Sequence, residues 1–176
     1  MKFREVMFKL DDIDRQLLID LQQDAKVSLG RLGERVGLSA PSGMERVRKL
    51  EQAGLIKGYH AVLDARAVGL DVASFIGVRV QSPAAIEAFE AWVEGLPEIL
   101  ECHHVTGSYT LLLKVKTRNT SALEQLIRRL RSFEGVASTD TMVVLSTRIE
   151  RVMLPLEEGE EAEGPRAPSR KRRRVS

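Results

Sequence analysis

The chain has 176 residues, is 43% apolar and 5% aromatic, and carries a formal net charge of +2. That length allows one medium domain or two small ones with aliphatic cores, and no apolar run reaches the roughly 18 residues of a membrane span. A single cysteine, Cys102, excludes an internal disulfide and fits a reducing, cytoplasmic setting.

The first twelve residues mix charges of both signs, unlike a secretory signal. Asp11 is a good N-cap for a helix over residues 11–24, with Ile13, Leu17, Leu18 and Leu21 as its apolar stripe. A second helix starts at Ser28, where Val27 and Leu32 are spaced as a hydrophobic staple, and Gly37 is its left-handed stop. Gly30 and Gly33 fit that helix poorly, since each costs roughly 1 kcal/mol relative to alanine. They imply close helix packing or a weak helix. Ser39 caps a third helix, Pro41 sits in its first turn, and Gly54 ends it. Three short helices with a tight turn before the last make a helix-turn-helix. Residues 55–63 then read as an extended wing strand.

The third helix puts Pro41, Ser42, Glu45, Arg48, Lys49 and Gln52 on one side and Gly43, Val47 and Leu50 on the other. Such a helix suits a DNA groove. Arg48 matches guanine, Glu45 accepts from cytosine, and Ser42 and Lys49 suit phosphates. Ser39, Pro41 and Arg46 complete the candidate DNA set, with Arg46 on the flank, directed to the backbone or packed within the domain. Residues 31–60 hold 6 basic and 3 acidic groups, a mild bias in the same direction. The plainer reading is a solvated surface with Glu45 and Lys49 as an i,i+4 pair worth about 0.2–0.5 kcal/mol.

Residues 64–71 form a hinge with Gly69 as its bending point, and the pattern then changes. Residues 72–80, 99–105, 109–115 and 136–149 read as strands, and helices follow Ser82–Pro83 and Asn119–Thr120. The order β-α-β-β-α-β predicts a ferredoxin-like domain over 72–155, so the fold class is α+β with a winged helix-turn-helix domain over 1–63. From 156 to 176 an acidic half precedes the basic run Lys171–Arg174, and the composition predicts a disordered charged tail. That run suits an auxiliary contact to phosphates, or simply a soluble end.

Cys102, His103 and His104 invite a metal reading, but neighbours on a strand point to opposite faces and no second ligand cluster appears. No nucleophile motif, phosphate loop or carboxylate pair indicates an enzyme. We expect neither metal nor cofactor.

Three stretches, residues 10–39, 45–59 and 101–115, resemble the leucine-responsive regulatory protein family (Lrp/AsnC) at family spacing, within a match over roughly 9–151. The resemblance implies a transcription regulator that binds double-stranded DNA through its helix-turn-helix. It also implies dimerisation and effector sensing through the C-terminal domain, and larger assemblies such as octamers. The effector residues it implies are His104, Thr106, Gly107, Ser108, Tyr109, Thr110, Thr139 and Thr141. The family loop usually reads Gly-Asp-Tyr/Phe-Asp, and here it reads Gly107-Ser108-Tyr109-Thr110. Hydroxyls supply no negative charge for a buried ammonium. The expectation is therefore weak binding of ordinary α-amino acids, a different ligand, or none, although Asp140 is an acidic residue that sequence does not place. The alternatives are an effector-independent architectural DNA-binding protein and a metabolite-binding or catalytic ferredoxin-like domain.

Overall fold

The computed structural model describes residues 9–156, so the expected tail from 157 onward lies outside the described residues. The described chain forms two compact units, 9–61 with 151–156, and 62–150.

In the first unit, α1 spans Asp12–Gln23, α2 Leu29–Arg35 and α3 Ala40–Gln52. Each starts where a short polar side chain accepts an orphan amide: Asp11 from Asp14, Ser28 from Arg31, and Ser39 from Ser42. Asp14 also reaches back to the Asp11 amide, closing a capping box. Leu17, Leu21, Leu32, Val47 and Leu50 are buried between the helices, with Ile13, Val27, Leu29 and Val36 against them. Gly37, at φ +73°, takes the left-handed conformation that turns α2 into α3.

The helix crossing explains one of the two awkward glycines. A Cβ on Gly43 of α3 would stand 2.7 Å from the Gly33 Cα and 3.1 Å from its nitrogen. Backbone meets backbone there, with no flexible side chain to give way. Gly33 is thus the cost of bringing the helices into contact. Gly30 is different, because its added Cβ would meet only the Ala40 Cβ at an ordinary 3.5 Å.

Residues 55–63 form no strand, contrary to the expected wing. A strand exists only through a ladder, and three helices offer no edge to pair with. Instead the Leu55 and Ile56 amides donate back to the Leu50 carbonyl at 3.0 and 3.3 Å, which folds the chain against α3.

The second unit is an antiparallel sheet in the order β2-β3-β1-β4. Its strands are β1 Val72–Val80, β2 Ile99–His104, β3 Leu111–Thr117 and β4 Val136–Val143. Helices α4 (Pro83–Val93) and α5 (Thr120–Arg131) complete the expected β-α-β-β-α-β order. Ile76, Val78, Leu111, Leu113 and Val115 alternate onto one sheet face and are buried with Phe89, Val93, Leu123, Leu126 and Leu130 of the helices. The opposite face presents Phe75, Arg79, Lys114 and Met142. The segment read as a hinge contains a tight turn, in which the Asp64 carboxylate accepts from the Arg66 and Ala67 amides.

The last strand ends at Val143, short of the expected residue 149. Its partner β1 begins at Val72, and once the Val144 amide has bonded the Ala73 carbonyl little of β1 is left to pair with. Residues 151–156 belong with the first unit, whereas the sequence placed 151–155 with the sheet. The cause is local: the Gln22 side-chain amide exchanges two hydrogen bonds with the Leu154 backbone, at 2.6 and 3.3 Å.

Gly43→Ala should destabilise the helical unit by about 1–3 kcal/mol through overpacking, whereas Gly30→Ala should be neutral or stabilising by up to about 1 kcal/mol. Thermal unfolding of both variants, followed by helical circular dichroism, checks the contrast.

Candidate functional site

The buried residues of α3, Gly43, Val47 and Leu50, all lie on one side. Ser39, Pro41, Ser42, Glu45, Arg48 and Lys49 remain exposed. Ser39 Oγ and Ser42 Oγ lie 2.9 Å apart at the helix start. Glu45 and Lys49 form only a long 3.9 Å pair with both side chains more than half exposed, so little opposes its exchange for another anion. Arg48 has no ion-pair partner among the described residues.

Arg46 is placed elsewhere. Its guanidinium donates to Asp11 Oδ2 at 2.6 Å and Asp14 Oδ1 at 2.9 Å, fastening α3 to the capping box of α1. Of the sequence alternatives for this residue, packing within the domain is the one observed. Burial alone would raise the Asp11 carboxyl, but the Asp14 amide and the Arg46 guanidinium outweigh it and hold the group below its ordinary value. The same two carboxylates raise Arg46. Asp11, which the sequence marked only as a cap, and Asp14, which it did not single out, are therefore positioning residues. Beyond α3, the Tyr59 hydroxyl donates to Glu51 Oε1 at 2.9 Å. Partial burial and that carboxylate push the Tyr59 phenol up to about 12.

The candidate effector residues divide between the two faces of the sheet. Tyr109 lies over Gly77 of β1, where a Cβ would stand 2.6 Å from the ring, and its hydroxyl donates to Asp140 Oδ2 at 2.6 Å. The Asp140 hydrogen bond, some burial and the carboxylate's charge raise the phenol, while Arg79 opposes them. Arg79 Nε donates to the Ser108 carbonyl at 2.6 Å, and the Val80 amide donates to Thr110 Oγ1 at 3.1 Å. Thr110 is thus occupied in closing the loop onto β1, and Thr106, Gly107 and Ser108 form its exposed tip. Asp140, opposite Gly77 in the ladder, brings the carboxylate that the loop itself lacks.

Thr139 and Thr141 are not part of this cluster. They pair with Val78 and Ile76, whose side chains face the helices, and Thr139 Oγ1 accepts from Arg131 Nε at 2.8 Å. His104 faces α4, with Nε2 2.7 Å from Glu90 Oε1. Alternation along the strands would have separated Thr139 and Thr141 from Asp140, and it is the signal that was overlooked. No group of three potential metal ligands gathers among the described residues.

Residues 10–51 match the AsnC-type helix-turn-helix domain, and residues 73–154 match the Lrp/AsnC ligand binding domain. The transcriptional regulator FL11 of Pyrococcus furiosus is 35% identical over 147 residues, covering 84% of this chain and 97% of that protein. The chain belongs to the Lrp/AsnC family. The leucine-responsive regulatory protein of Escherichia coli K12 is 39% identical over 139 residues, 77% of this chain and 85% of that one. Among solved structures, E. coli AsnC superposes with a TM-score of 0.77 at 31% identity, covering 83% of this chain and 99% of its own. A Neisseria meningitidis regulator solved in complex with L-Met gives 0.79 at 32% identity, covering 84% and 97%. Lrp/AsnC proteins are DNA-binding transcription regulators rather than enzymes, and this chain is one of them.

Arg46→Ala should destabilise the helical unit by about 1.5–3 kcal/mol, because it leaves two carboxylates without their charged donor. The Asp11 carboxyl is lower in the folded than in the unfolded chain, so its contribution is present above the ordinary carboxylate value and lost as pH falls through the folded one. Thermal unfolding across acidic pH should show a steeper loss in the parent than in Arg46→Ala.

Proposed function

We propose that this protein reads DNA through Ser42, Glu45, Arg48 and Lys49 of α3 in the major groove, with Ser39 and Pro41 fixing the start of that helix. The observation carrying this is the division of cations along one helix: Arg46 is held by Asp11 and Asp14, while Arg48 and Lys49 face solvent. A bidentate arginine is worth about 1–3 kcal/mol of base discrimination, whereas a lysine on phosphate adds affinity without sequence preference.

The sheet face without helices presents Phe75 and Met142, 36% and 43% exposed. An apolar face of this kind is suited to a second copy, giving a two-fold dimer with dimers joining into larger rings such as octamers. Such a dimer sets the spacing of two reading heads and calls for near-palindromic half-sites about one helical turn, or a multiple, apart. The protein acts in the cytoplasm, on the genome.

An ammonium-bearing effector, an α-amino acid, binds at the loop 106–110, with Asp140 in place of the family's loop carboxylates. The two oxygens of Asp140 are not equally engaged, since Tyr109 is bonded to Oδ2. Effector binding shifts the assembly only by preferring one state over another.

Selection of bound duplexes from fragmented genomic DNA tests the DNA reading. Arg48→Ala should relax the base preference at one position of each half-site, and Lys49→Ala should weaken all duplexes alike. Retention of full preference by Arg48→Ala, or unchanged affinity of Lys49→Ala for every duplex, would contradict it. For the effector, calorimetry with L-methionine and L-leucine should show binding that Asp140→Asn weakens about 10–100-fold, the range of a hydrogen bond to a charged group. Equal heats from parent and variant would exclude Asp140.

A further inference from the structure

Opposite charges on neighbouring strands commonly close into an ion pair, and on the open face of this sheet Arg79 and Asp140 do not. Gly77 pairs with Asp140 and Arg79 with Ser138, so Arg79 of β1 and Asp140 of β4 are diagonal neighbours. Long side chains so placed reach one another. Each is instead committed through a single atom. Arg79 Nε donates to the Ser108 carbonyl at 2.6 Å, and Asp140 Oδ2 accepts from the Tyr109 hydroxyl at 2.6 Å. Neither side chain makes another hydrogen bond or an ion pair among the described residues. The Nη groups of one and the Oδ1 oxygen of the other are left over. Beside both stands the Tyr109 ring, packed onto Gly77, and its phenol feels both charges, raised by Asp140 and lowered by Arg79. Arg79 lies four residues from Phe75, about 13 Å along β1, so this charged end is separate from the apolar end of the face.

We propose that Arg79 is the carboxylate anchor of the effector site, which thereby selects zwitterions: the ligand's ammonium meets Asp140 Oδ1 and its carboxylate meets the Arg79 Nη groups. The inference rests on the effector reading given above and narrows its ligand from any ammonium-bearing molecule to a free α-amino acid. A guanidinium presents its donors in a planar fork that matches the two oxygens of a carboxylate. Amines and amino amides carry the ammonium without a carboxylate beside it, and would leave that fork unpaired. The bond to Ser108 belongs to the same device. It holds the guanidinium in one orientation beforehand, so less side-chain freedom is lost when the ligand arrives.

The test is calorimetry on the full chain with L-methionine and L-methioninamide, at a mildly acidic pH that keeps both ammonium groups charged. The two ligands share a side chain and differ only in carboxylate against neutral amide. The parent should prefer methionine about tenfold or more, the range of a hydrogen bond to a charged group. Arg79→Gln should bind the two alike, and Asp140→Asn should weaken both. Loss of the Ser108 bond in Arg79→Gln loosens the loop for either ligand, so the ratio of the two affinities isolates the anchor from that structural effect. The proposal is overturned if the parent binds both ligands equally, or if Arg79→Gln keeps the parent's preference. Either result, with Asp140→Asn still weakening both ligands, leaves the effector reading standing. A parent that bound neither ligand would remove that reading and this inference together.

Discussion

Two glycines facing each other at 2.7 Å, one prospective Cβ against one Cα, set the distance between α2 and α3, and every other feature of the reading head follows from that distance. Helices so close cannot admit a side chain between them, so the larger apolar residues gather toward α1, where Leu17, Leu32, Val47 and Leu50 are wholly or almost wholly buried. The core fixes which side of α3 is hidden. Position in the helix then decides which side chains face outward, because residues three and four apart share a face. In such a small unit one misplaced methyl group would rotate or shift the helix that carries Arg48.

Charge is handled with similar economy. Of the three cations in the middle of α3, one is held inward by two carboxylates that also cap α1, and two are left to solvent. The inward one gives the helix its bearing, and in the proposed reading the outward ones meet the DNA. At the sheet, the loop carries hydroxyls where the family pattern has carboxylates, and the Asp140 carboxylate of a different strand accepts from the Tyr109 hydroxyl that the loop presents. In the proposed effector site one negative charge therefore stands where the family pattern offers two.

Most helices and strands were legible because caps and periodicity are local. Ser28, Ser39, Ser82 and Asn119 each cap a helix where expected, and Gly37 turns the chain as its position implied. The misses share a cause, dependence on a distant partner. Residues 55–63 have strand-like composition but no edge to join, and the final strand stops where β1 runs out. The destination of 151–156 depends on Gln22, which is 132 positions from Leu154 and has no sequence signature for that role. At the site, the sequence left Arg46 between the DNA backbone and the domain interior, because a cation's partner is set by helix packing. Thr139 and Thr141 lie on the helix-covered face, apart from Tyr109, as alternation along the strand already implied.

Dimethyl sulfate protection on a selected duplex addresses the central claim directly, because the reagent methylates guanine N7 in the major groove and adenine N3 in the minor groove. The account predicts protection of guanine N7 in two symmetric patches, lost from each when Arg48 is replaced by alanine. Protection confined to adenine N3, or a guanine pattern indifferent to Arg48, would contradict it.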